Sequence, residues 1–226
     1  MNHSRAVQCL AAVALCAPAA AQEYPLRPVR VILASPAGGT PDIVARIVAP
    51  GMSAQLGQQL VIDNRGGAGG LIATEMTARA APDGYTLFIG GPGTITMLPH
   101  LRRDMPYDAL ADLAPVSQLA IGPYLLVAHP SLRANSVREL IALARAEPGR
   151  INYASAGNGA GNHFAMEHLK ALARIDLTHV PYKGAPPAVT DLLAGGVSLM
   201  FNSIPPALPH IRAGRLKVLA VSTAKR

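Results

Sequence analysis

The residues that could bind or react are few, and they gather in two glycine turns. Ser35-Pro36-Ala37-Gly38-Gly39 follows the β-branched run Val29 to Ala34 and leads into Thr40-Pro41-Asp42. Thr40 reads as the N-cap of a helix, Pro41 as its first residue and Asp42 as the acid of its first turn. Ser155-Ala156-Gly157-Asn158-Gly159-Ala160-Gly161 repeats the pattern after the short strand Ile151 to Ala154, with Asn162 as the cap of a helix reaching about Arg174. Helix N-termini carry unpaired N–H groups and a positive dipole end. Two such turns facing each other could hold a carboxylate through several charge-assisted hydrogen bonds, each worth roughly 1.5–3 kcal/mol. Micromolar capture requires only about −8 kcal/mol.

Other chemistry has less support. His163 and His168 stand five apart on the second helix, whereas a metal pair needs a spacing of three or four, so no metal site is expected. His163, at the helix start, suits a cleft or a structural place. Lys183 in Tyr182-Lys183-Gly184 could attract an anion or be a solvated turn lysine. Asp42 and Arg46 read as a surface ion pair of small value. Ser155 lies in Ser-Ala-Gly and lacks the frame of a hydrolase nucleophile elbow. Asn64 to Gly70 follows a strand but matches neither the dinucleotide fingerprint nor the phosphate loop, so no cofactor is expected.

The chain has 226 residues, 50% hydrophobic and 15% charged, enough apolar material for a core and incompatible with wholesale disorder. Basic His3 and Arg5, the apolar stretch Val7 to Ala17 and the small residues Ala19 to Ala21 read as an export signal over residues 1–21, cleaved before Gln22. That stretch is too short to span a bilayer. Cys9 and Cys16 both lie within it, which leaves the expected mature chain without disulfides, zinc thiolates or thiol nucleophiles. The net charge of +7 is dispersed, aromatics make up 4% and tryptophan is absent, which argues against nucleic acid as a partner. A moderate positive field suits the capture of small anions.

Strands alternate with helices along the mature chain. The expected strands are Val29 to Ala34, Gln59 to Asp63, Tyr85 to Ile89, Leu125 to Ala128, Ile151 to Ala154, Leu177 to Val180, Val197 to Phe201 and Leu216 to Val221. Between them fall helices after Thr40, from Leu71 to Ala81, from Ser136 to Glu147, after Asn162, from Pro186 to Leu193 and from Pro205 to Ala213. Met105 to Val116 reads as irregular. This order predicts an α/β protein with parallel-rich sheets flanked by helices. The two similar turns, over 100 residues apart, predict two lobes facing each other.

The pattern resembles a known family. Tyr24 to Pro28, Pro36 to Asp42, Asn64 to Gly70, Ala81 to Leu87, Tyr153 to Gly159, Val180 to Gly184 and Leu208 to Ile211 resemble, in order, the extracytoplasmic solute-binding receptors of tripartite tricarboxylate transporters, the Bug-type proteins. The resemblance implies a two-lobed periplasmic binding fold that closes on a carboxylate, a membrane permease as partner, a periplasmic monomer and no catalysis. It implies domain one over residues 22–121, domain two over 122–221 and a return segment to domain one from 222. It places the ligand among Pro36, Ala37, Gly38, Gly39, Thr40 and Asp42 on one side. On the other stand Ser155, Ala156, Gly157, Gly159, Ala160, Gly161, His163, Lys183 and Asn202. Three positions depart from the family pattern: Ala37 replaces a proline, Ala160-Gly161 replaces a hydroxyl residue, and Asn202 replaces an aspartate. Family members continue for roughly another hundred residues, so the resemblance also implies a shortened domain one. The alternatives are a nucleotide-using α/β enzyme and a non-binding fragment of a receptor.

Overall fold

The computed structural model describes residues 24–223. The expected export signal, residues 1–21, lies outside the described residues, as do the last three residues of the expected return segment.

Fifteen elements follow one another, strands mostly alternating with helices: β1 (Val29–Leu33), α1 (Thr40–Leu56), β2 (Leu60–Asn64), α2 (Leu71–Ala78), β3 (Thr86–Ile89), α3 (Leu98–Leu101), β4 (Tyr124–Ala128), α4 (Val137–Ala146), β5 (Asn152–Ser155), α5 (Gly161–Ala173), β6 (Thr178–Pro181), α6 (Ala185–Ala194), β7 (Leu199–Ser203), α7 (Ile204–Arg212) and β8 (Lys217–Val221). They build two sheets. The first is three-stranded and wholly parallel, in the order β2-β1-β3. The second is five-stranded, in the order β6-β5-β7-β4-β8. It is mixed: β5 runs parallel to β6 and β7, while β4 runs antiparallel to β7 and β8.

Alternation along the strands decides what each face buries. In β7, Leu199 and Phe201 join the cluster of Leu126, Leu140, Tyr153, Met166 and Leu177, under α4 and α5. Met200 points the other way and joins Val127, Ala154, Val189, Leu192 and Ala207, under α6 and α7. Both faces of this sheet are therefore buried, which explains the continuous apolar run Leu125 to Ala128. In the first sheet Val31, Leu33 and Leu60 pack against Ala45 of α1, while Ile32 and Ala73 are fully buried. No helix of the described residues is long and apolar enough to cross a membrane.

The structure departs from the sequence reading at several element starts. Gly39, not Thr40, caps α1, and Thr40 is its first helical residue. Ala160, not Asn162, caps α5, leaving Asn162 inside the first turn. The stretch after Gly90-Gly91-Pro92, to which the sequence assigned no element, forms a helical segment over Gly93–Met97 that continues into α3. Its glycine and β-branched residues (Thr94, Ile95, Thr96) have poor helix propensity, and the buried Tyr107 hydroxyl donates to Thr94 O at 2.6 Å instead, a tertiary contact invisible locally. Ser136 caps α4: its Oγ accepts from Glu139 N at 3.2 Å, and Glu139 Oε2 reaches back to accept from Asn135 N at 2.9 Å, one residue before the cap, in a variant of the capping box. Ser136→Ala is expected to destabilise the chain by about 1 kcal/mol. Denaturant titration checks this, with an unchanged midpoint as the contrary result.

Candidate functional site

The carboxyl ends of β1, β5 and β7 converge, and a cavity of about 160 Å³ lies there between the two sheets. Its walls include Ser35, Pro36, Gly39 and Thr40 after β1, and Gly70 and Gly93 from the glycine turns after β2 and β3. From the other sheet come Tyr124, Ala156, Ala160, Gly161, Asn162, Gly184, Asn202 and Ser203. Crevices at strand carboxyl ends are where open α/β sheets bind ligands, because helix starts crowd there.

That crowding is pronounced in this chain. The caps of α1, α2, α5, α6 and α7 are Gly39, Gly70, Ala160, Gly184 and Ser203, and all five line the cavity. None of the five starts carries a side-chain cap, whereas α4, which begins away from the cavity, is capped by Ser136. First-turn N–H groups have no intrahelical acceptor, so these starts leave donors and positive dipole ends at the cavity wall. Pro41 removes one first-turn donor from α1, and Pro186-Pro187 and Pro205-Pro206 remove two each from α6 and α7, so Thr40, Ala185 and Ile204 supply the first N–H of these three starts. Among the described residues, no Asp, Glu, Lys, Arg or His side chain lines the cavity.

One side chain at the site stands out. Asn202 is 1% exposed, and its Nδ2 is the buried side-chain donor that lacks an acceptor among the described residues. Such a group costs on the order of 1–3 kcal/mol while unpaired. The neighbouring Asn162 is satisfied on both sides: Oδ1 accepts from Ala156 N at 3.1 Å and Nδ2 donates to Phe201 O at 3.2 Å. It staples the Ser155–Gly161 turn to β7.

Asp42 differs from its reading as a surface ion pair. It is 3% exposed and accepts from Gly38 N at 2.9 Å, Asn64 Nδ2 at 3.1 Å and Arg46 Nε at 3.0 Å. Burial alone would raise its pKa, but the bonds from Arg46, Gly38 and Asn64 outweigh it and hold the carboxyl below the usual 3.8. Asp42 thus braces the first turn from behind. Ser155, Gly157 and Gly159 are buried and His163 is half-buried, and none of the four lines the cavity. Ala37, Gly38 and Lys183 are exposed and do not line the cavity.

Glycines make the two lobes meet. A Cβ on Gly93 would stand 2.9 Å from Gly159 O and 3.3 Å from Gly161 N. A Cβ on Gly157 would stand 3.1 Å from Tyr182 O and 3.5 Å from Gly69 N. The Thr40 and Ser203 hydroxyls also hydrogen bond directly across the gap. Tyr124, Asn162, Ser203 and the Gly91–Gly93 turn escaped the sequence reading as site residues. The last had a usable signal, since Gly90-Gly91-Pro92-Gly93 ends a strand as the two recognised turns do.

Comparison with known proteins identifies the family. The family model described as "Tripartite tricarboxylate transporter family receptor" matches residues 44–226. BugT of Bordetella pertussis is 38% identical over 96% of this chain and 67% of its own length. A solved R. palustris protein with adipate is 39% identical, with a TM-score of 0.86 over 90% of this chain and 68% of its own. MatC from Rhodopseudomonas palustris with bound malate is 33% identical, with a TM-score of 0.85 over 90% of this chain and 69% of its own. The chain spans between 60% and 67% of the length of the first curated relatives it matches. With an α/β fold shared with solved periplasmic binding proteins and a family match over most of its length, the chain belongs to the receptor family of the tripartite tricarboxylate transporters.

Proposed function

We propose that the chain is a periplasmic solute-binding receptor that captures a small carboxylate between its two lobes, without catalysis, and presents the closed form to a membrane permease. The observation that carries the reading is the convergence of five helix starts without side-chain caps on a cavity that contains no charged side chain. Such a wall favours negative charge, and among the described residues no acidic side chain lines it to attract a cation. Asn202 Nδ2 supplies a further donor, which a ligand oxygen would satisfy. Pro36, Gly39 and Thr40 contact the ligand from the first lobe; Ala156, Ala160, Gly161 and Asn202 contact it from the second. The relatives solved with adipate and malate support a carboxylate of that class. Residues 1–21 would direct export.

A hydrolase nucleophile at Ser155, a different chemistry from the nucleotide-using alternative, has one superficial support, the pairing of Ser155 Oγ with His179 Nε2 at 2.6 Å. Ser155 is fully buried and its Oγ also accepts from Gly157 N, so no substrate carbonyl reaches it.

Isothermal titration of the chain with adipate, malate, acetate and citrate at pH 7.5 tests the reading. At least one carboxylate is expected to bind with micromolar affinity and to raise the melting midpoint, because it binds the native state alone. Uniform absence of heat, with spermidine or lysine binding in its place, is the outcome that sinks it.

A further inference from the structure

Behind the Ser155–Gly161 turn lies a cluster that the carboxylate reading does not use. The rings of His163 and His179 stack with centroids 4.1 Å apart and planes 19° apart. Tyr153 stacks on His179 at 4.8 Å, and Phe164 leans on His163 at 6.0 Å. Each histidine holds one end of the turn. His179 Nε2 pairs with Ser155 Oγ, which accepts from Gly157 N at 3.1 Å. His163 Nδ1 accepts from Gly159 N at 3.3 Å. The residues between and beyond, Ala156, Ala160 and Gly161, are the cavity wall.

We propose, resting on the carboxylate-receptor reading, that His163 is a positioning residue whose unprotonated Nδ1 holds the second-lobe turn in its ligand-binding shape, so that acidification releases the ligand. Protonation would place an N–H where Gly159 needs an acceptor, and donor would face donor. It would also set a positive charge against the stacked His179 ring, so the pair takes up one proton at a time. The other charged groups facing the pair lie on α5. Glu167 favours the protonated rings and Lys170 opposes it, while Lys170 Nζ donates to Glu167 Oε1 at 2.8 Å and so partly neutralises it. Tyr153, from β5, also donates its hydroxyl to Glu167.

The titration directions agree with the geometry. Burial, above the opposing effect of Glu167, lowers the pKa of His163 below the usual 6.5. Burial and then the charge of His163 push His179 down to about 4. A histidine pKa depressed by folding contributes stability that is whole above 6.5 and is lost as pH falls towards the folded value. For His163 the loss therefore sets in as pH falls below 6.5, and for His179 it continues down to about 4.

The test measures adipate and malate affinity of the chain and of His163→Asn between pH 7.5 and 5. Asn keeps an acceptor for Gly159 N–H but does not titrate, and using the same ligand on both proteins cancels the ligand's own protonation. The parent is expected to weaken about three- to tenfold more than His163→Asn across that range. In the parent alone, NMR titration of the imidazole signals is expected to show the His163 midpoint moving lower when ligand is bound, the reciprocal of the same coupling. Equal pH profiles, or a His163 midpoint indifferent to ligand, overturn the proposal while the receptor reading stands. Failure of both proteins to bind any carboxylate at pH 7.5 overturns the receptor reading and this proposal together.

Discussion

Gly93→Ala is expected to weaken carboxylate binding by about 100-fold while leaving the fold intact. The added methyl would meet Gly159 O at 2.9 Å and Gly161 N at 3.3 Å, both backbone atoms of the opposite lobe. Neither can swing aside as a side-chain tip could. Overpacking of this kind costs typically 1–3 kcal/mol, and the cheapest relief is to part the lobes. Parting them takes Ala160 and Gly161 away from a ligand seated near Thr40, and each lost charge-assisted bond adds roughly 1.5–3 kcal/mol. The substitution carries no local penalty of its own: Gly93 does not adopt a left-handed φ, and it starts a helical segment in which alanine is favoured. Gly51→Ala is the control, since a Cβ there meets nothing within 4 Å. Calorimetry gives the affinity and small-angle scattering the lobe separation. Parental affinity in Gly93→Ala would mean that the ligand does not need this contact between lobes.

The second large effect is expected at Asn202. Asn202→Asp would set a resident carboxylate on a cavity wall without charged side chains, near the starts of α5 and α7, whose first turns hold no acidic residue. It would take the donors for itself, repel an incoming anion and remove the Nδ2 donor. Loss of one charge-assisted bond together with repulsion at close range is worth about 3 kcal/mol, or some 100-fold in affinity. Asn202→Ala removes the donor without adding charge, so its loss is expected to be nearer tenfold. Equal losses in the two variants would show that charge at this position is immaterial, and binding at parental strength by Asn202→Asp would falsify the assignment of Asn202 to the ligand.

Much of the architecture was legible because it rests on local signals. The continuous apolar runs around Val31 and Leu126 mark strands buried on both faces, and the glycine turns at Gly38 and Gly157 mark the carboxyl ends of β1 and β5. What stayed hidden depends on partners distant in sequence. The antiparallel course of β4 follows from its pairing with β7 and β8, 71 to 96 residues later, which no local pattern reports. Thr40 looked like a cap because hydroxyl residues usually are, but its Oγ1 bonds Ser203 across the cleft instead. Asn162 looked like a cap for the same reason, but it joins Ala156 to Phe201. In both cases a tertiary hydrogen bond competes with the local one and wins. Asp42 looked like half of a surface pair because spacing cannot show that Asn64 and Gly38 close over it.

The uncharged cavity wall bears on how such a receptor can change over generations. Its attraction for anions resides in the peptide groups that begin five helices, and every amino acid except proline supplies the same N–H. A codon change at Ala156, Ala160 or Ala185 can therefore alter the shape of the guest accepted without discharging the site. Replacing an arginine clamp would remove attraction and selectivity in one step. Here the two properties are inherited separately: the backbone keeps the appetite for acids constant, and the few side chains around it are free to drift from one acid to another.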